Sequence, residues 1–195
     1  MAFSLPVIIG LPHWTICGPH IFAANLARGL RSAGVEARLL FTEADSLLVA
    51  ETTVQTPLPE DVPYNLLPAG RHDSWGRRWE ALIRYLEERA PCIYLMLHDW
   101  RMNVVAPRLS ERVRLVGLMQ CESPLEYDQA ARLGQYWNAV VAVNEPIRQH
   151  AAARWQHLVP RLLTIPNAAP TLDAVPAKRP GGPLRIAYRD RKSVV

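Results

Sequence analysis

The chain has 195 residues, of which 49% are hydrophobic and 21% charged, a balance that suits one folded domain, or one domain plus a fragment of another, and excludes a disordered polymer. Its net charge of +4 and pI near 9.2 come from arginines scattered among acidic residues without a long basic run, so no nucleic-acid partner is expected, while peripheral contact with an anionic membrane surface is a secondary expectation. No stretch approaches the ~20 apolar residues of a spanning helix, the N-terminus has no basic segment leading into a long apolar one, and Cys17, Cys92 and Cys121 are widely spaced without a C-x-x-C pair; a reducing compartment, the cytosol, is expected.

The stretch from Leu5 to Gly34 reads as a buried strand, a glycine-bearing turn and an amphipathic helix. Leu5, Val7, Ile8 and Ile9 form an apolar run ending at Gly10, as suits a central parallel strand covered on both faces. A connection carrying His13, Trp14, Cys17 and Gly18 follows, and Pro19 fits the first helical turn, where its missing N–H costs nothing. Phe22, Leu26 and Leu30 recur every four residues beside Ala23 and Ala27, and Gly34 supplies a C-terminal stop. Gly18 at the helix entrance either lets an anion approach the backbone N–H groups, with the helix dipole favouring it, or merely turns the chain.

Ala37 to Phe41 reads as the second strand of a right-handed βαβ unit. From Thr42 to Asp73 the prolines Pro57, Pro59, Pro63 and Pro68 leave room only for a short strand near Tyr64 to Leu67. Ser74 can cap a helix whose Trp75, Trp79, Leu82, Ile83 and Leu86 form one apolar face, with Arg77, Arg78, Glu87 and Glu88 at solvent positions and the tryptophans serving packing. Pro91 stops it. Cys92 to Leu97 is a buried strand ending in His98, Asp99 and Trp100, and a short apolar helix around Val104 to Leu109 leads to the strand Leu115 to Met119, which ends in Gln120, Cys121 and Glu122. Two neighbouring strands thus deliver polar residues just past their C-terminal ends, where open α/β sheets bind ligands. Helical Glu126 to Leu133, the strand Ala139 to Val143, a helix Glu145 to Trp155 with Ile147 and Ala151 on one face, and the strand Leu162 to Ile165 complete the pattern.

The expected organisation is a Rossmann-like N-terminal domain over residues 1–167, a Pro, Ala and Gly-rich linker over 168–183, and the first strand of a further domain over 184–189, with Leu184 to Tyr188 as its apolar run. The last six residues, DRKSVV, match a translation resembling the start of a common sequencing adapter. Residues 190–195 are therefore expected to be a non-native tail, with the natural gene continuing into a second domain.

Five motifs in order resemble the N-terminal, acceptor-side domain of GT-B glycosyltransferases of the family 4 retaining type. They are Gly18 through "LARGLRSAG", "IYLMLHDW", "LVGLMQCESPLEYD", "AVVAVNEPIRQ" and "IPNAAP". The resemblance implies an α/β fold, a Rossmann-like parallel sheet with helices on both faces, forming one GT-B half whose C-terminal, donor-binding domain is missing. Such enzymes transfer a sugar from a nucleotide-sugar, with retention, to a glycan, lipid-linked or small-molecule acceptor, and usually need no metal ion; no cofactor is expected beyond the donor substrate. Gly18 and Pro19 would lie near the donor phosphates, Asp99 would help orient the reacting sugars, and His98 would contact substrate or bond to neighbouring backbone.

Gln120 stands where the family carries a histidine, and glutamine can exchange hydrogen bonds but not a proton near neutral pH. Glu122, two positions on, is a candidate source of charge. Asn144 and Ala168 stand where serine and glycine are usual. The residues that hold donor phosphates and the paired glutamates of the family would lie past residue 195, so this polypeptide alone is expected to be inactive. The alternatives are a non-catalytic binding or partner module of the same fold and a stand-alone flavodoxin-like nucleotide-binding domain, the latter without a dedicated phosphate-loop signature.

Overall fold

A computed structural model describes residues 5–15, 17–43, 58–70 and 72–167; the expected linker at 168–183, the strand at 184–189 and the tail at 190–195 lie outside them. Among these residues seven strands form one sheet: β1 (Val7–Leu11), β2 (Ala37–Phe41), β3 (Tyr64–Leu66), β4 (Cys92–Met96), β5 (Val113–Met119), β6 (Ala139–Ala142) and β7 (Leu162–Thr164). Their spatial order is β3-β2-β1-β4-β5-β6-β7, and every pairing is parallel. The fold is therefore a Rossmann-like α/β sheet whose strand order reverses between β1 and β4.

The helices are α1 (Gly18–Ser32), α2 (Trp75–Glu87), the short α3 (Trp100–Asn103), α4 (Pro124–Leu133) and α5 (Glu145–Arg154). The crossover through α1 runs from β1 to β2, in the opposite direction to those through α2, α3, α4 and α5. Right-handed crossovers in opposite directions place helices on opposite faces of the sheet. That double cover explains why β1 is buried at all five positions and why β2 and β4 each leave only one residue partly exposed.

Local signals set most boundaries. Ser74 caps α2 by accepting the N–H of Arg77 at 3.3 Å, and Asn144 caps α5 by accepting that of Ile147 at 2.9 Å. Gly34 adopts φ +81°, the left-handed conformation expected of a glycine just past a helix end. The buried face of α1 is His20, Ala23, Ala24 and Ala27, with Phe22, Leu26 and Leu30 packed at its margin. Small residues sit centrally because the helix lies close to the sheet, and the larger ones fill the flanks. This displaces the expected Phe22–Leu26–Leu30 stripe.

Two other expectations are corrected. The segment expected as a helix around Val104 to Leu109 holds only a 3₁₀ turn, Ala106–Arg108, the short α3 having ended at Asn103, because Pro107 cannot continue a helix interior. Arg78 is not at a solvent position but buried, 3% exposed. It donates to Glu43 Oε1 at 3.0 Å and stacks its guanidinium 4.2 Å above Trp75, so its charge and its planar face both find partners. Trp75 is itself 38% exposed and, with Trp79, Arg101 and Val104, lines an open hollow of about 570 Å³.

Two glycines are set by close approach. Gly10 and Tyr94 share one sheet face, since Tyr94 is in register with Ile8; a Cβ on Gly10 would lie 2.8 Å from Tyr94 Cζ. A Cβ on Gly117 would lie 2.5 Å from Cδ2 of Trp137. No described helix is long and apolar enough to cross a membrane.

Candidate functional site

The carboxyl ends of β1, β4 and β5, three adjacent strands, deliver Gly18 and Pro19, His98 and Asp99, and Gln120 and Glu122 to one edge of the sheet. Gly18 is exposed at the first position of α1, and nothing lies within 4 Å of where its Cβ would be. The entrance of a 15-residue helix is thus open to a ligand. Pro19 follows it in the first turn. Cys17 precedes the helix without a side-chain cap.

His20, one turn into α1, carries no sequence signal of its own. It is 4% exposed, and its Nδ1 accepts the N–H of Thr15 at 3.0 Å. The ring stacks beside Trp14 with centroids 6.1 Å apart and meets His13 edge-on at 5.4 Å. Burial, and then the neighbouring His13, push its pKa from 6.5 down to about 4, so it is a neutral ring near pH 7. Because the folded value is the lower, His20 contributes stability that is complete above about pH 6.5 and is lost as pH falls toward 4, worth about 3 kcal/mol. His20→Asn is expected to remove that acid sensitivity. Chemical denaturation of both proteins at pH 7 and pH 4.5 checks it, and an unchanged stability difference between the two pH values would count against it.

The pair at the end of β4 faces two ways. Asp99 is 3% exposed and turns toward β2, where its Oδ2 accepts the hydroxyl of buried Thr42. Thr42 Oγ1 also lies 3.4 Å from the carbonyl of Leu11, and its own carbonyl lies 3.5 Å from Arg78. Burial raises Asp99 from 3.8 to about 6; the Thr42 hydrogen bond opposes the rise and Glu43 adds to it. A proton on Asp99 completes a relay in which its O–H donates to Thr42 and Thr42 donates to Leu11.

His98 turns the other way. Its Nε2 lies 3.1 Å from Oε1 of Glu126, close without the alignment of a hydrogen bond, and its ring leans against Trp100 with centroids 5.2 Å apart. The expected choice between neighbouring backbone and substrate thus omitted a third partner, a carboxylate from α4. Gln120 gives its N–H to Glu126 Oε2 at 2.6 Å, while its side-chain Oε1 is buried without a partner among the described residues. Glu122 is exposed and does not join this cluster. Cys121 is exposed, and burial, with Glu126 nearby, raises its thiol, which opposes a role as a thiolate nucleophile. Cys92 is buried core. Among the described residues no group of His, Cys, Asp and Glu converges as metal ligands.

Glu126 and Thr42 are the site's unforeseen members. Glu126 carried a signal, since Ser123 to Glu126 has the S-x-x-E spacing of a capping box. Thr42 had none, being merely the residue after an apolar strand.

No known protein family matches the sequence, and no curated protein matches it. Among solved structures the chain is similar to UDP-N-acetylglucosamine 2-epimerase from Rickettsia bellii, at 10% identity and a TM-score of 0.56, over 83% of this chain and 44% of that one. It also aligns with an alpha-glucosyltransferase in complex with UDP and a 13-mer DNA containing a central A:G mismatch, at 10% identity and a TM-score of 0.48, over 73% and 38% of the two chains. The chain spans less than half the length of these structures, and what it shares with the epimerase is the fold: a Rossmann-like α/β sheet.

Proposed function

We propose that this chain is the acceptor-side half of a nucleotide-sugar-dependent glycosyltransferase of the GT-B, family 4 retaining type. The observation that carries the reading is the gathering of Gly18, His98, Asp99 and Gln120 at the ends of three adjacent strands beside the strand-order reversal, in the sequence order of the motifs described above. In this reading a donor-binding domain follows residue 167, and the acceptor, a glycan, lipid-linked sugar or small metabolite, enters the crevice between the halves. The open entrance of α1 at Gly18 and Pro19 faces the donor phosphates, whose charge suits free backbone N–H groups and the positive end of the helix dipole.

Asp99 and Gln120 take the roles nearest the chemistry. Asp99, buried and held by Thr42, orients the reacting sugars from beneath, through the β4 end it fixes, and Gln120, whose Oε1 is buried and unpartnered among the described residues, holds a sugar hydroxyl once its side chain turns outward. His98 completes the polar wall, and Glu122 serves the rim. The protein works in the cytosol, where its cysteines stay reduced, with peripheral contact at an anionic membrane surface as its route to a lipid-linked acceptor.

The test is to amplify the gene from source DNA, express the whole reading frame and assay transfer from a panel of nucleotide-sugars. Transfer by the extended protein, absent from residues 1–195 alone, is expected. A native stop codon directly after Val195, or no turnover of any donor, would overturn the proposal. Gln120 favours one second reading, a binding module of the same fold that has lost catalysis, because an amide replaces a proton-exchanging ring. Turnover restored by Gln120→His in an otherwise inactive extended protein would select that reading.

A further inference from the structure

In a capping box the glutamate three residues after the capping serine accepts the serine's own N–H. Glu126 does something else. Its side chain is 4% exposed and reaches past Ser123, so that Oε2 takes the N–H groups of Gln120 at 2.6 Å and Cys121 at 2.9 Å. Oε1 accepts the Cys121 thiol at 3.5 Å and lies 3.1 Å from Nε2 of His98. One oxygen suffices to tie down the loop after β5, and the second is directed at an imidazole delivered by a different strand.

We infer that Glu126 is a positioning residue for His98: its carboxylate keeps the ring proton on Nε2 and leaves Nδ1 as the acceptor for a ligand hydroxyl. A neutral imidazole has one donor and one acceptor nitrogen, and the partner of one decides the role of the other. An ionised carboxylate only accepts, so the nitrogen beside it must carry the proton. Contacts of this kind are often poorly aligned without ligand and tighten into hydrogen bonds when it binds.

The titratable surroundings allow this. Glu126 and Cys121 approach from the β5–α4 side, and Asp99 follows His98 in the chain. His20, from α1, and His13 beside it are the cationic candidates, but His20 is neutral near pH 7 because burial and His13 lower its pKa to about 4. The inference takes its purpose from the reading of His98 as a ligand-binding residue, yet the geometry does not depend on sugar chemistry.

The test is nitrogen-15 imidazole NMR on the purified 195-residue chain without ligand, with the His98 signals assigned by their loss in His98→Asn. The neutral ring is expected as the Nε2–H tautomer. In Glu126→Gln the amide oxygen can keep the two loop N–H groups while its NH₂ faces the ring, so the tautomer should reverse. Glu126→Asp, which keeps a carboxylate that can only accept, should retain the Nε2–H tautomer at least in part. An Nδ1–H tautomer in the unmodified protein overturns the inference, and so does a Gln variant whose tautomer is unchanged. If that variant fails to fold, the tautomer of the unmodified protein decides alone. The expected tautomer without sugar transfer from any donor removes the proposed function and leaves the Glu126–His98 pair intact, whereas transfer with the opposite tautomer does the reverse.

Discussion

Asp99→Asn is expected to make the protein more stable at pH 7 by about 2–3 kcal/mol and, on the proposed function, to weaken sugar transfer. The sign follows from burial, which raises the folded-state pKa of Asp99 from 3.8 to about 6. The folded state therefore binds the proton more tightly than the unfolded chain, and the contribution of Asp99 to stability is fully present below about pH 3.8 and lost as pH rises through 6. At pH 7 a charge sits in a site that prefers a neutral group, at a cost of about 1.4 kcal/mol for each tenfold difference in proton affinity between folded and unfolded chain. An asparagine keeps an oxygen for the Thr42 hydroxyl and never ionises. In a chain of this length the gain corresponds to a rise in Tm of ~4–12 °C at pH 7, shrinking toward zero at pH 4. Denaturant titrations at both pH values check it, and equal destabilisation at both would refute the role of ionisation. His20 runs the opposite way over the same range, so the two contributions largely offset in the unmodified protein and each single variant should expose the other.

Gly10→Ala is expected to cost about 3 kcal/mol, because the added methyl meets the fully buried ring of Tyr94 and neither side has room to yield. Tyr94→Phe alone should be neutral or stabilising by about 1 kcal/mol, since the Tyr94 hydroxyl is buried without a hydrogen-bond partner among the described residues. In the double variant the closest clashing atom is gone, and the penalty at Gly10 should shrink by about 1–2 kcal/mol. Urea unfolding of the four proteins closes the cycle. Strict additivity would mean that Tyr94 is not what Gly10 accommodates.

The sheet was legible in the sequence because its strands are buried on both faces, and such strands read as unbroken apolar runs. Ala37–Phe41 was bounded to the residue, and Cys92–Met96 and Ala139–Ala142 to within one. Caps were equally readable at Ser74, where the chemistry is local. Tertiary pairings were not. Arg78 looks like a solvent residue in any helical projection, and only the arrival of Glu43 from 35 residues away makes its burial tolerable. The site divides along the same line. Gly18, His98, Asp99 and Gln120 could be placed at strand ends from order alone, but the partners that set their chemistry, Thr42 and Glu126, come from other elements. The depth of Asp99 was invisible too, since a polar residue after a strand end normally reaches solvent.

Among the described residues the outer strands of the sheet, β3 and β7, are each three residues long, while the strands between them run from four to seven. Both carry exposed apolar side chains, Tyr64 and Leu66 on one margin and Leu163 on the other. A foreign strand laid against either margin would find at most three residues of matching backbone before the template ended, too few to hold a growing ladder. Among the described residues, then, brevity rather than charge is what limits pairing at these margins. A substitution or insertion that lengthened β7 would expose more of this sticky backbone unless another element covered it.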